Sequence, residues 1–192
     1  MEKRINIAVI GGTGVGKSTL INYLLPNLNK KPEAKAGKPV TEKGFHRYEG
    51  VIEGEVNGKP RSVSVDCYDS WGLEVDKYND WMKDLEIVLN ARGVDKSPNE
   101  WFHTIFYLID AAGSRVQDND IKLIKLLREK NCRVNVIFSK SDLVTEEESD
   151  QLHEVLKVSF GDTVCIVDVC SEEKKHAQVI MNLSGRMVCY NL

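Results

Sequence analysis

INIAVIGGTGVGKSTLINYLL, residues 5–25, is the stretch that decides the fold. An apolar run, Ile5 to Ile10, reads as a buried strand and feeds directly into Gly11, Gly12, Thr13, Gly14, Val15 and Gly16. Lys17, Ser18 and Thr19 follow at once and open a helix over 17–25 that Pro26 stops. Glycine costs backbone entropy, so four of them in six positions imply that something large and charged must sit against bare backbone. The spacing Gly11-x-x-x-x-Gly16-Lys17-Ser18 between strand and helix is that of a phosphate-binding loop. Its backbone N–H groups form a nest for phosphate oxygens, and the helix N-terminus adds partial positive charge. Lys17 is placed to reach the β- and γ-phosphates, and the Ser18 hydroxyl to meet Mg²⁺.

Outward from the loop, strand-like and helix-like patterns alternate. A hairpin over 44–56 and 61–68 turns on Asn57-Gly58, which supplies the positive φ of a tight turn. Helices are expected over 76–91, 117–130, 145–158 and 172–188, and strands over 101–110, 133–138 and 163–168. Thr145 with Glu148 predicts a capping box. One antiparallel hairpin followed by strand–helix units predicts an α/β fold, a mostly parallel sheet with helices on both faces. The 192 residues show no internal repeat or dividing linker, which predicts one domain over 1–192.

Composition bounds the rest. Hydrophobic residues make up 42% and charged residues 29%, with a net charge of −3, so the chain has no general nucleic-acid or anionic-membrane character. No apolar stretch reaches the roughly 20 residues of a spanning helix, and the run before the loop is too short for a signal peptide. Five scattered cysteines fit neither a disulfide framework nor a zinc knuckle, so reduced core thiols and a cytoplasmic setting are expected. Cys189 opens a formal prenylation box, but Asn191 and the lack of a polybasic stretch favour an ordinary chain segment. Trp71 reads as an aromatic in a mobile segment, Trp81 and Trp101 as packing residues, and the four histidines form no ligand pattern.

The base is read downstream. Ser139-Lys140-Ser141-Asp142 ends the strand over 133–138, on the rim where the loop lies. The Asp142 carboxylate can accept both N1–H and N2–H₂ of guanine, a pair adenine lacks, while the Lys140 stem covers the ring. This segment resembles the guanine-reading Asn-Lys-x-Asp of small GTPases, with Ser139 in place of Asn or Thr. Asp69-Ser70-Trp71-Gly72 resembles the Asp-x-x-Gly of the second switch. That resemblance implies that Asp69 holds Mg²⁺ through water and that the Gly72 N–H meets the γ-phosphate; Asp66 competes for the Asp role but has no glycine three residues on.

Taken in order, these pieces resemble a translation-factor-class G domain, nearest to the Era-like and septin- or AIG-like GTPases. The resemblance implies a Ras-like sheet of six strands, GTP/GDP and Mg²⁺ as ligands, and hydrolysis to GDP and phosphate. It also implies Thr41 as the first-switch threonine on Mg²⁺ and γ-phosphate, at the end of a Lys30–Lys38 connection that changes order with nucleotide. Ser171 falls where the family's backbone N–H meets guanine O6. Lys17, Thr41 and Gly72 are the implied catalytic set. Leu73 stands where Ras-type enzymes carry the water-orienting Gln, and Gly14 where potassium-activated relatives carry Asn. Slow intrinsic hydrolysis is therefore expected, with help from a protein effector or from a homodimer across the nucleotide face. Glu74 as a water-positioning group competes with a plain acidic helix start. Two other readings stay open: a GTP-binding scaffold without turnover, and a phosphate-loop ATPase or small-molecule kinase.

Overall fold

The computed structural model describes residues 4–26, 28, 44–73, 77–93, 95–113, 115–170, 177–181 and 187–191. The apolar run becomes β1 (Arg4–Gly11), buried from Asn6 onward. The loop leads into α1 (Lys17–Leu24). Asn57 and Gly58, both at positive φ, turn β2 (Phe45–Val56) into β3 (Lys59–Ser70), with residues 45–56 paired antiparallel along the full length. There follow α2 (Tyr78–Ala91), β4 (Thr104–Asp110), α3 (Asp118–Glu129), β5 (Val134–Ser139), α4 (Glu146–Phe160) and β6 (Cys165–Val169).

The sheet has six strands in the order β2-β3-β1-β4-β5-β6. Only the β2–β3 pair is antiparallel; β1–β3, β1–β4, β4–β5 and β5–β6 are parallel. β1, the first strand in sequence, therefore lies inside the sheet, and successive crossovers leave their loops on one rim. Period-2 alternation sends side chains of each central strand to opposite faces. On one face Ala8, Ile10, Tyr107 and Phe138 pack with Trp81 and Leu85 of α2, Leu123 and Leu127 of α3 and Leu156 of α4. On the other, Ile7, Val9, Phe106 and Ile137 pack with Leu20 and Ile21 of α1.

The Thr145–Glu148 capping box is present, Thr145 Oγ1 accepting from the Glu148 N–H and Glu148 from the Thr145 N–H. α3 carries a second one, with Gln117 and Asp120, that the Ser/Thr pattern does not signal.

Three expectations are corrected. The helix over 172–188 is replaced, in its described parts, by β7 (Ala177–Met181) paired antiparallel with β8 (Met187–Asn191). A helix there would carry Gly185 inside it, whereas Val179, Ile180 and Val188 favour extended backbone. β4 begins at Thr104 rather than 101, because Asn6 binds the preceding chain: its side chain donates to the carbonyls of Asn99 and Trp101, and its N–H to His103 Nδ1. Trp71 is buried. Its indole N–H donates to Asp84, and its carbonyl accepts the indole N–H of Trp81, so α2 grips it from two sides. Of the described cysteines, Cys67 is a buried core thiol but Cys170 is exposed.

Leu156, fully buried under α4, tests this core: Leu156→Ala is expected to cost about 2–5 kcal/mol of unfolding free energy in urea.

Candidate functional site

The site is assembled by adjacency of β1 and β3. Val9 lies in register with Asp69, so the glycine loop leaving β1 and the last turn of β3 end side by side. Gly14 and Gly16 have φ of 77° and 93°, which a β-carbon would strain. Gly16 caps α1 from the left-handed region, and the first turn of α1 carries no acidic residue to compete for its N–H groups.

Lys17 is buried, and its ammonium donates to the carbonyls of Gly11 at 3.2 Å and Gly12 at 2.8 Å. Burial pushes its pKa down to about 8, against the opposing pull of Asp69. The Ser18 hydroxyl donates to Asp69 Oδ2 at 2.9 Å. Asp69 itself is 0% exposed, and its Oδ1 has no hydrogen-bond partner among the described residues. Burial raises its pKa; Lys17, the Ser18 hydrogen bond and His46 pull the other way. His46 faces Asp69 across the β2–β3 pair, a role that dispersed histidines in the sequence do not announce.

Asp66 is a different kind of carboxylate. Buried on the same strand, it is held by Arg4 at 2.7 Å and Arg47 at 2.8 Å. Three residues apart on a strand, Asp66 and Asp69 point to opposite faces, so only one can meet Ser18.

Gly72 lies against the loop. A β-carbon there would sit 2.2 Å from Thr13 Oγ1 and 2.7 Å from Thr13 Cα, so only glycine fits. The Leu73 N–H donates to Gly11 at 3.2 Å and the Thr13 N–H to the Leu73 carbonyl at 3.4 Å, joining the two segments by backbone. Gly12 and Leu73 form a parallel bridge. Val15 packs under the loop, while Thr13 and Thr19 are exposed.

On the base side, Ser139 is buried, donates to the Ile109 carbonyl at 3.3 Å, and stands 3.9 Å from where a Gly16 β-carbon would lie. Lys140 adopts a left-handed φ of 57° and pairs with Asp110, a residue at the end of β4 that no motif singled out. Its place at the carboxyl end of a central strand was the available signal. Asp142 is exposed in a 3-10 turn, Ser141–Leu143. The structure thus brings Gly11 to Thr19, Asp69, Gly72, Ser139, Lys140 and Asp142 to one rim. Thr41, Glu74 and Ser171 lie outside the described residues.

The donor set fits a divalent cation beside a phosphate. A hydroxyl and a buried carboxylate with one unused oxygen are hard oxygen ligands. The loop N–H groups, the helix N-terminus and Lys17 are the matching anion site.

The septin family model matches residues 2–184. The chain is 30% identical over 168 residues to human Septin-1, a match covering 79% of this chain and 43% of that protein. It is 29% identical over 144 residues to the probable GTP-binding protein EngB of Thermoanaerobacter pseudethanolicus, covering 74% and 66%. The structure resembles Aquifex aeolicus Era bound to GDP and AlF₄⁻, with a TM-score of 0.59 and 20% identity over 88% of this chain and 52% of that one. The chain belongs to the septin family of P-loop GTPases, and its fold is the Ras-like G domain. It spans about two-fifths of the length of human Septin-1 and about a quarter of that of human Septin-9.

The two carboxylates of β3 should part company in stability. Asp66→Asn removes the buried carboxylate that Arg4 and Arg47 share, while both guanidinium groups keep Glu49 at 3.0 Å, and it is expected to lower the urea midpoint modestly. Asp69→Asn removes a buried charge with an unused oxygen, and without nucleotide it should leave the urea midpoint at or above that of wild type.

Proposed function

We propose that the chain is a GTP-binding switch that hydrolyses GTP slowly by itself and faster with a partner. The observation that carries this reading is the Ser18–Asp69 pair beside the glycine loop. It places a hydroxyl and a buried carboxylate, one oxygen unused, next to a nest of backbone N–H groups. In this reading residues 11–19 bind the phosphates, Ser18, Asp69 and Thr41 hold Mg²⁺, and the Gly72 N–H meets the γ-phosphate. Held by those residues, Mg²⁺ would supply neutralisation of phosphate charge. Lys17 exchanges its loop carbonyls for phosphate oxygens.

Asp142 reads N1 and N2 of guanine, Lys140 covers the ring, Ser139 ties the segment to the loop, and the Ser171 N–H meets O6. Its ion pair with Asp110 holds the Lys140 stem along the rim. In hydrolysis a water oxygen bonds to the γ-phosphorus while the bond to the β,γ-bridging oxygen breaks. That oxygen keeps the electron pair on GDP, and the water's proton passes to phosphate or solvent. Leu73 cannot orient that water, which supports slow turnover. A protein effector or a second copy across the nucleotide face supplies what is missing.

Residues 1–192 act as one G domain in this account. Cys67, Cys132, Cys165 and Cys170 are free thiols, which supports a cytoplasmic setting. No helix among the described residues is long and apolar enough to cross a membrane.

The test is a titration of nucleotide-stripped protein with a fluorescent GTP analogue and Mg²⁺, with GTP, GDP and ATP as competitors. GTP and GDP are expected to compete and ATP not to. Asp142→Asn should weaken guanine-nucleotide binding by roughly 100-fold, the loss of two charge-assisted hydrogen bonds. Equal competition by ATP returns the chain to the wider set of phosphate-loop enzymes. Light scattering with the GTP analogue tests self-association: a monomer at high concentration removes the second copy as the source of stimulation.

A further inference from the structure

The loop residue that touches Gly72 is Thr13, and its hydroxyl is uncommitted. The side chain is exposed and makes no hydrogen bond among the described residues, although Oγ1 lies directly against Gly72. The Thr13 N–H donates to the Leu73 carbonyl at 3.4 Å and the Leu73 N–H to the Gly11 carbonyl at 3.2 Å, so the loop and the Gly72 segment are joined by backbone. A hydroxyl is thereby held at the seam between the phosphate loop and the segment whose glycine faces the γ-phosphate in the reading above. Residue 73, where a side chain would ordinarily orient the attacking water, is an aliphatic leucine.

We propose that Thr13 is a catalytic residue for hydrolysis in this chain, its hydroxyl accepting a hydrogen bond from the attacking water and donating one to a γ-phosphate oxygen. This rests on the GTP-hydrolysing reading of the same site. A hydroxyl can do both at once, whereas the leucine at 73 can do neither. The group acts on the third phosphate alone, so it distinguishes triphosphate from diphosphate. The attacking water's oxygen bonds to the γ-phosphorus, the bridging oxygen leaves with its electron pair on GDP, and the proton is taken by the released phosphate or solvent. Thr13 aligns the water and gains no net proton. One neutral hydroxyl supplies less than a charged group delivered by a partner, in keeping with slow intrinsic turnover.

The experiment compares wild type with Thr13→Val, which keeps the shape and removes the hydroxyl, and Thr13→Ser, which keeps the hydroxyl. Because the side chain is exposed, both variants are expected to fold, and their urea midpoints check it. Dissociation constants for a non-hydrolysable GTP analogue and for GDP are measured by calorimetry, and single-turnover hydrolysis at saturating enzyme. Thr13→Val is expected to hydrolyse at least about 10-fold more slowly and to bind the triphosphate analogue roughly 3- to 10-fold more weakly, with GDP affinity within about twofold. Thr13→Ser should stay within about threefold of wild type on every measure.

Wild-type hydrolysis and unchanged triphosphate affinity in Thr13→Val overturn the proposal. So does equal impairment in Thr13→Ser, which makes the residue a packing element. A wild type that holds the triphosphate and never cleaves it overturns the proposal while leaving guanine-nucleotide binding intact. A wild type that binds neither nucleotide sinks the underlying reading itself.

Discussion

Asp69 is a carboxylate taken wholly out of water with one oxygen bonded to Ser18 and the other to no partner among the described residues. Burying a charge so thinly supported costs stability, and folding for its own sake offers no reason to keep it. Asp66, three residues earlier, shows what a structural solution looks like on the same strand: two guanidinium groups at 2.7 Å and 2.8 Å. The contrast gives Asp69 its meaning. In the proposed reading the end of β3 is kept for a bound cation and phosphate rather than for the chain alone, and the neighbouring burial of Lys17 has the same character.

Much else follows from holding that cluster in place. β1 must lie beside β3 so that the loop and Asp69 finish together, and the strand order places it there. Gly72 must lack a side chain because Thr13 occupies its flank. Trp71, between Asp69 and Gly72, is clamped by Asp84 and Trp81 of α2. The segment is thus tied to the core by two indole hydrogen bonds rather than loose upon it.

Most of the fold was legible because its signals are local. The strand–glycine–helix transition at 5–25, the Asn57-Gly58 turn and the Thr145–Glu148 box each depend on neighbours in sequence, and each stands in the structure. Errors arose where distant contacts decide. Asn6 draws residues 99–103 into hydrogen bonds that delay the start of β4. Trp71 resembles a mobile aromatic until α2 is packed beside it. The pattern over 172–188 mixes apolar residues at both periods, and the extended reading prevails at 177–181 and 187–191. In the site, the loop and Ser18 could be found from spacing and Asp69 from the resemblance of its segment to Asp-x-x-Gly, whereas Asp110 and His46 could not. Their roles come from sheet register and from charge on an adjacent strand, neither of which leaves a motif.

The most direct measurement of the central claim is the unfolding midpoint of the wild-type chain with Mg²⁺ alone, GTP alone and both together. The account predicts little effect from Mg²⁺ alone and a combined shift larger than the sum of the separate ones, because cation and phosphate complete each other's ligand shells at Asp69 and Lys17. At ligand about 100-fold above its dissociation constant, the stabilisation should approach roughly 2.7 kcal/mol. No shift with both ligands present, or an equal shift in Asp69→Asn, would contradict it.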